Sequence, residues 1–133
     1  MVIVTPHVTA IYAAVLGLLA AVLTVRVILN RVRTNIQAGD GGDLRLGQAI
    51  RAHGNFAEHA PLALLVIALA EMLGAAPTWI HALGGVLVLA RLVSAWGLSS
   101  SLGATPQRQA GAGLTVVVLT VASLLVLSRV LMP

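Results

Sequence analysis

The 133-residue chain is 59% hydrophobic and 9% charged, with a mean hydropathy of +1.00, which excludes an ordinary soluble domain in favour of an integral membrane protein. Its eight basic residues are all arginine against four acids, for a net charge of +4; beside apolar spans, arginines set orientation rather than bind nucleic acid. With no cysteine, the chain has no disulfide, no thiolate metal site and no thiol nucleophile, so any sulfur chemistry needs a thiol brought by a ligand.

At roughly 20 residues per span, residues 1–133 hold a single domain of four transmembrane helices. Span one is expected over Val8 to Val25, without charge, with a helical stripe of small residues at Ala10, Ala14, Gly17 and Ala21 that admits a close helix neighbour. It lacks a basic leader and a cleavage site, and so reads as a retained span. Arg26, Asn30, Arg31 and Arg33 follow, with Arg26, Asn30 and Arg33 on one face. They read as cytosolic boundary residues, with a binding role left open.

The stretch Gln37 to Gly47, QAGDGGDLRLG, reads as a polar loop with no phosphate-binding signature. Span two contains QAIRAHGNFAEHAPLALLVIALAE, from Gln48 to Glu71. Its apolar part, Ala60 to Ala70, is too short to cross alone, so part of the Arg51 to Glu58 segment lies at or below the headgroups. At about 100° per residue, Arg51, Asn55 and Glu58 share an arc of roughly 60° and His53 points elsewhere. Pro61 cannot bond the Ala57 carbonyl and is a candidate kink. Gly74, Pro77 and Trp79 mark a turn without arginine, on the extracytoplasmic side.

Span three, about Thr78 to Leu98, carries a single charge, Arg91, near its cytosolic end, with Ser94 and Leu98 on the same face. A serine-rich loop with Pro106 and Arg108 leads to span four, about Ala110 to Leu127. Arginines concentrate after spans one and three, which places those loops in the cytosol and both termini outside, against the weak opposition of Arg129.

Arg31, Arg51, Arg91 and Arg108, with Asn55 and Glu58, can therefore converge near the cytosolic interface. Guanidinium groups take carboxylates bidentately and a carboxylate takes an ammonium, so the cluster suits a small anionic ligand that also carries an amine. A positive site also lowers the pKa of a bound thiol from about 8.5. The structural alternative is that Arg51 or Arg91 pairs with Glu58 to fix helix packing. Elsewhere, His7, His53, His59 and His81 form no metal site, and Ser94 and Ser99 to Ser101 have no supporting triad. Tyr12 reads as an interfacial residue, Glu71 as a cap of span two facing solvent, and Gly84 and Gly85 as close-contact positions.

RAHGNFAEHAP, that is Arg51, Ala52, His53, Gly54, Asn55, Glu58 and Pro61 in their spacing, resembles the helix-two signature of the membrane-associated eicosanoid and glutathione metabolism family, MAPEG. GDGG at Gly39 to Gly42, HALGGVLVLAR at His81 to Arg91 and the four-span layout resemble its small bacterial branch. The resemblance implies a homotrimer in the bacterial inner membrane, binding glutathione as co-substrate between subunits near the cytosolic side. By position it makes Arg31, Arg51, Asn55 and Glu58 glutathione-binding, and Arg91 and Arg108 catalytic. The second substrate would be a hydrophobic electrophile arriving through the lipid. Leu98 and Gln109 stand where eicosanoid-forming members carry a tyrosine and the prostaglandin-E-forming member a serine, which argues against a specialised eicosanoid enzyme. The activity expected is a glutathione transferase or peroxidase; the other reading is a non-catalytic membrane protein that uses the cluster for trimer assembly or to bind a lipid or thiol peptide. Transport is disfavoured, because no charged pathway crosses the bilayer.

Overall fold

The computed structural model describes residues 4–132 as four α-helices: α1 (His7–Thr34), α2 (Leu44–Met72), α3 (Pro77–Ser100) and α4 (Pro106–Leu131). Each is long and apolar enough to cross a membrane, and among the described residues there is no strand. Every helix outruns the apolar run that marked it in the sequence. In hydrocarbon the backbone must keep its own hydrogen bonds, and arginine is a good helix former that continues a helix into the headgroups readily.

The helix ends follow from local chemistry. Asp43 caps α2, accepting from the Leu46 amide at 2.8 Å, so the helix begins inside the stretch expected to be loop through Gly47. α1 ends on Asn35 in the left-handed conformation (φ 55°). Gly41 (φ 56°) also needs its freedom, since a Cβ there would strike the Ile36 side chain. Between α2 and α3, the Gly74 amide bonds the Glu71 carbonyl at 2.9 Å and the Ala75 amide the Ala70 carbonyl at 3.0 Å, a Schellman closure that requires the positive φ of Gly74. Thr105 caps α4 through the Arg108 amide, with Pro106 at the first helical position.

α1 solves its start through a distant residue. Pro6 offers no side-chain cap; instead the Glu71 carboxylate accepts from the Val8 amide (2.8 Å), the Thr9 amide (2.7 Å) and the Thr9 hydroxyl (2.6 Å). Glu71 is only 6% exposed, which corrects its reading as a solvent-facing cap of its own helix. An anion at a helix N-terminus satisfies orphan amides and meets the positive end of the dipole. On the same end, the Tyr12 hydroxyl and His81 Nδ1 lie 2.8 Å apart, joining α1 to α3.

α2 and α3 form the middle of the bundle, each packing on every other helix, while α1 and α4 do not touch. α2 does so through a stripe of Ala49, Ala52, Phe56, Ala60, Ala63, Ile67 and Ala70, whose spacing of three and four keeps one face toward its neighbours. Small residues let the backbones approach. Gly84 is buried because Tyr12 lies on it, whereas Gly85 is exposed and touches nothing. The stripe Ala10, Ala14, Gly17 and Ala21 is likewise exposed on α1. The tightest approach is at Gly111 of α4: a Cβ would overlap Ser94 Oγ and sit 2.7 Å from the Ala90 carbonyl oxygen. Gly111→Ala is therefore expected to cost about 1–3 kcal/mol by overpacking, read as a lower unfolding midpoint in detergent, whereas Gly113→Ala, in open space within α4, does not lower the midpoint and stabilises by up to roughly 0.5–1 kcal/mol, the helix preference of alanine over glycine.

Candidate functional site

Taking the hydrocarbon core as ~30 Å and the helical rise as ~1.5 Å, about 20 residues cross it. Counted from the helix ends that carry His7, Met72, Pro77 and Leu131, the opposite boundary passes near Arg26, Ala52, Trp96 and Gly111. Every arginine but Arg129 therefore lies toward one end, the end that carries the two longer loops.

The candidate residues fall into three groups at that end. Arg51 on α2 and Arg108 on α4 line one open cleft of about 470 Å³, together with Gly39, Asp40, Gly47, Ile50 and Leu102. Arg108 is lightly held, its guanidinium donating to the Leu102 carbonyl at 3.3 Å. Arg51 pairs with Glu58 across two turns at 3.4 Å. Their side chains are 45% and 52% exposed, so the pair rides on the outer surface of α2. Arg31 donates to the carbonyls of Ile36 (3.0 Å) and Gly39 (3.2 Å), which fixes the loop that forms one wall of the cleft.

Arg91 stands apart. It is 1% exposed, about 7.5 Å inside the boundary by the count above. Its guanidinium donates to Asn55 Oδ1 (3.0 Å), Ser94 Oγ (3.2 Å), the Gly111 carbonyl (3.0 Å) and Thr115 Oγ1. These acceptors come from α2, α3 and α4 and none is charged. The Nε is buried without a partner among the described residues. The expected convergence near the cytosolic interface is thus partial for Arg91: it does not line the cleft of Arg51 and Arg108, and it joins the α2 polar face through Asn55. Leu98, two turns further along the same face of α3, is fully buried in the apolar core.

The α4 residues that complete this network, Gly111 and Thr115, carry no sequence signal, since a glycine and a threonine in an apolar helix are ordinary. Asp43 is the other charged group of note at this end. The Arg33 guanidinium at 2.6 Å, with help from the Leu46 amide, holds its carboxyl below the usual aspartate range. Among the described residues no three histidines, cysteines or acids converge as a metal site.

A family model described as the MAPEG family matches residues 9–128. The inner membrane protein YecN of Escherichia coli strain K12 is 36% identical over 95 residues, covering 71% of this chain and 72% of that protein. YecN of Escherichia coli O6:H1 matches with the same identity and coverage.

Proposed function

The chain belongs to the MAPEG family, and from that premise we propose that it is a membrane-bound, glutathione-dependent transferase or peroxidase. The observation that carries this reading is the cleft in which Arg51 and Arg108, from two different helices, meet at the arginine-rich end of the bundle. Glutathione offers two carboxylates, an ammonium and a thiol. Arg51 is placed to take a carboxylate, Glu58 the ammonium and Asn55 a backbone amide, while Arg31 holds the loop wall. Arg108 then faces the thiol.

The thiol proton leaves to water and the guanidinium of Arg108 stabilises the thiolate. In conjugation the sulfur lone pair bonds an electrophilic carbon and the leaving group departs with its electron pair. With an organic hydroperoxide the sulfur bonds the terminal oxygen to give the sulfenic acid, the O–O bond breaks and the alkoxide leaves, taking a proton from water to become the alcohol; a second glutathione thiol then attacks the sulfenic sulfur, yielding the disulfide and water. Arg91 acts as a positioning residue, since its contact with this face is the hydrogen bond that orients Asn55. By the positive-inside rule we assign the arginine-rich end to the cytosol and both termini to the outside.

A homotrimer is supported by what the isolated subunit leaves uncovered. Glu58 lies about 9 Å inside the boundary, yet its side chain is 52% exposed. A charged side chain facing lipid at depth costs up to about 3 kcal/mol. A neighbouring subunit and a zwitterionic ligand together remove that cost. The second reading, a non-catalytic membrane protein, is favoured by one observation: Arg51 already pairs with Glu58, and Arg91 already bonds Asn55, without ligand.

Equilibrium binding of labelled glutathione to the detergent-solubilised oligomer separates the readings. Saturable binding is expected, weakened at least tenfold in Arg51→Ala, a loss of about 1.4 kcal/mol. An intact oligomer that binds no glutathione moves the non-catalytic reading to first place.

A further inference from the structure

A second cleft opens at the same end of the bundle, on another face of α2. It measures about 430 Å³ and is lined by Arg26, Leu29, Asn30, Arg33, Arg45, Gln48 and Ser99, from α1, α2 and the end of α3. At about 100° per residue, Arg45 points roughly 165° and Gln48 roughly 105° away from the mean direction of Gly47, Ile50 and Arg51, and the two clefts share no lining residue, so this cleft and the one that holds Arg108 are separate.

Three arginines surround it and one acid answers them. Arg33 is paired with Asp43 and bonded to Asn30 Oδ1, and Arg26 donates to the hydroxyl of Ser99. Arg45 is exposed, and its side chain makes no hydrogen bond or ion pair among the described residues. Beyond its internal ion pair the cleft therefore keeps two positive charges, together with the Gln48 amide as a further donor. Its depth is equally specific. Arg26 sits at the hydrocarbon boundary, and Asn30, Arg33, Arg45, Gln48 and Ser99 lie at or beyond it, within the headgroup layer by the same count. Leu29 supplies an apolar wall, and exposed Leu18, Val22 and Val25 continue down α1 below it.

We propose that this cleft binds the phosphate of an anionic phospholipid, held between Arg26 and Arg45 with its acyl chains along α1. Guanidinium groups bind phosphate oxygens bidentately, and basic pockets between helices at this level recognise anionic headgroups. The lipid is favoured over a free phosphate because the site sits where headgroup phosphates already lie and because apolar surface leads into it. The assignment does not depend on the glutathione reading, since its readout is lipid retention.

The test uses the full-length protein in detergent, titrated with a short-chain phosphatidylglycerol, with phosphatidylcholine and with inorganic phosphate, bound species being counted by native mass spectrometry. Phosphatidylglycerol is expected to bind saturably and phosphatidylcholine at least tenfold more weakly. Arg45→Gln, which removes no side-chain hydrogen bond or ion pair of the protein, is expected to keep the fold and to weaken phosphatidylglycerol about fivefold, and Arg26→Gln with Arg45→Gln about thirtyfold. Arg108→Ala, in the other cleft, leaves it unchanged. Equal binding of the two lipids, an unaffected Arg45→Gln protein, or inorganic phosphate competing at the lipid's own concentration overturns the proposal.

Discussion

Arg91→Ala is expected to destabilise the bundle by about 3 kcal/mol or more, read as a large fall in the unfolding midpoint of the detergent-solubilised protein. Two terms add. The guanidinium donates to four neutral acceptors on three helices, and each hydrogen bond from a charged donor is worth about 1.5–3 kcal/mol in water and less in a bilayer. Truncating a side chain that is 1% exposed also leaves a cavity that the neighbours fill only partly. Opposing both is relief from burying a cation with no anion beside it. Arg91→Met weighs the terms against each other: it keeps most of the volume, removes the charge, and strands Asn55 Oδ1. A midpoint between wild type and Arg91→Ala is expected. Arg91→Ala as stable as wild type would show that the network contributes nothing net.

The same residue distinguishes positioning from contact. If Arg91 acts on glutathione through Asn55, then Arg91→Met and Asn55→Ala each weaken binding and the double variant is little worse than either, because both break one hydrogen bond. Additive losses would place the Arg91 guanidinium on the ligand itself.

Much of this arrangement was legible along the chain, and the residues show why the rest was not. The arc of Arg51, Asn55 and Glu58 follows from the helical period alone, and Arg51 does meet Glu58 at a spacing of seven. The period fixes directions on one helix and says nothing about what stands opposite. Asn55 turns to Arg91, 36 residues away, and Arg91 to Gly111 and Thr115 on α4. No local pattern marks those partners. Glu71 fails in the same way: near a helix end it reads as a local cap, yet its carboxylate serves α1 across 62 residues because the start of α1 packs beside the end of α2. Helix ends were misplaced for a different reason. Hydropathy stops where charges begin, whereas Asp43 and Thr105 set the true starts, so the short caps carried the boundary and the apolar runs did not.

Removing the cation nearest the proposed thiol position should abolish most of the chemistry while sparing the fold. In Arg108→Ala the Arg108 amide still bonds Thr105 Oγ1, so the α4 cap survives, and the side chain gives up only a 3.3 Å bond to Leu102. Turnover with a hydrophobic electrophile, as kcat/KM, is expected to fall about 10²–10³-fold, the usual consequence of deleting one preorganised stabiliser of developing negative charge. The pH profile gives the sign. A nearby guanidinium favours the thiolate, so in the wild type the bound thiol ionises below about 8.5. Without it the pKa returns to that value or rises above it through burial. The deficit is therefore largest near neutral pH and shrinks as pH climbs past 8.5, while Arg108→Lys, which keeps the charge, retains a low-pH plateau. A loss that is uniform across pH would assign Arg108 to holding glutathione rather than to its thiol, and turnover undiminished in a folded oligomer would remove it from the mechanism.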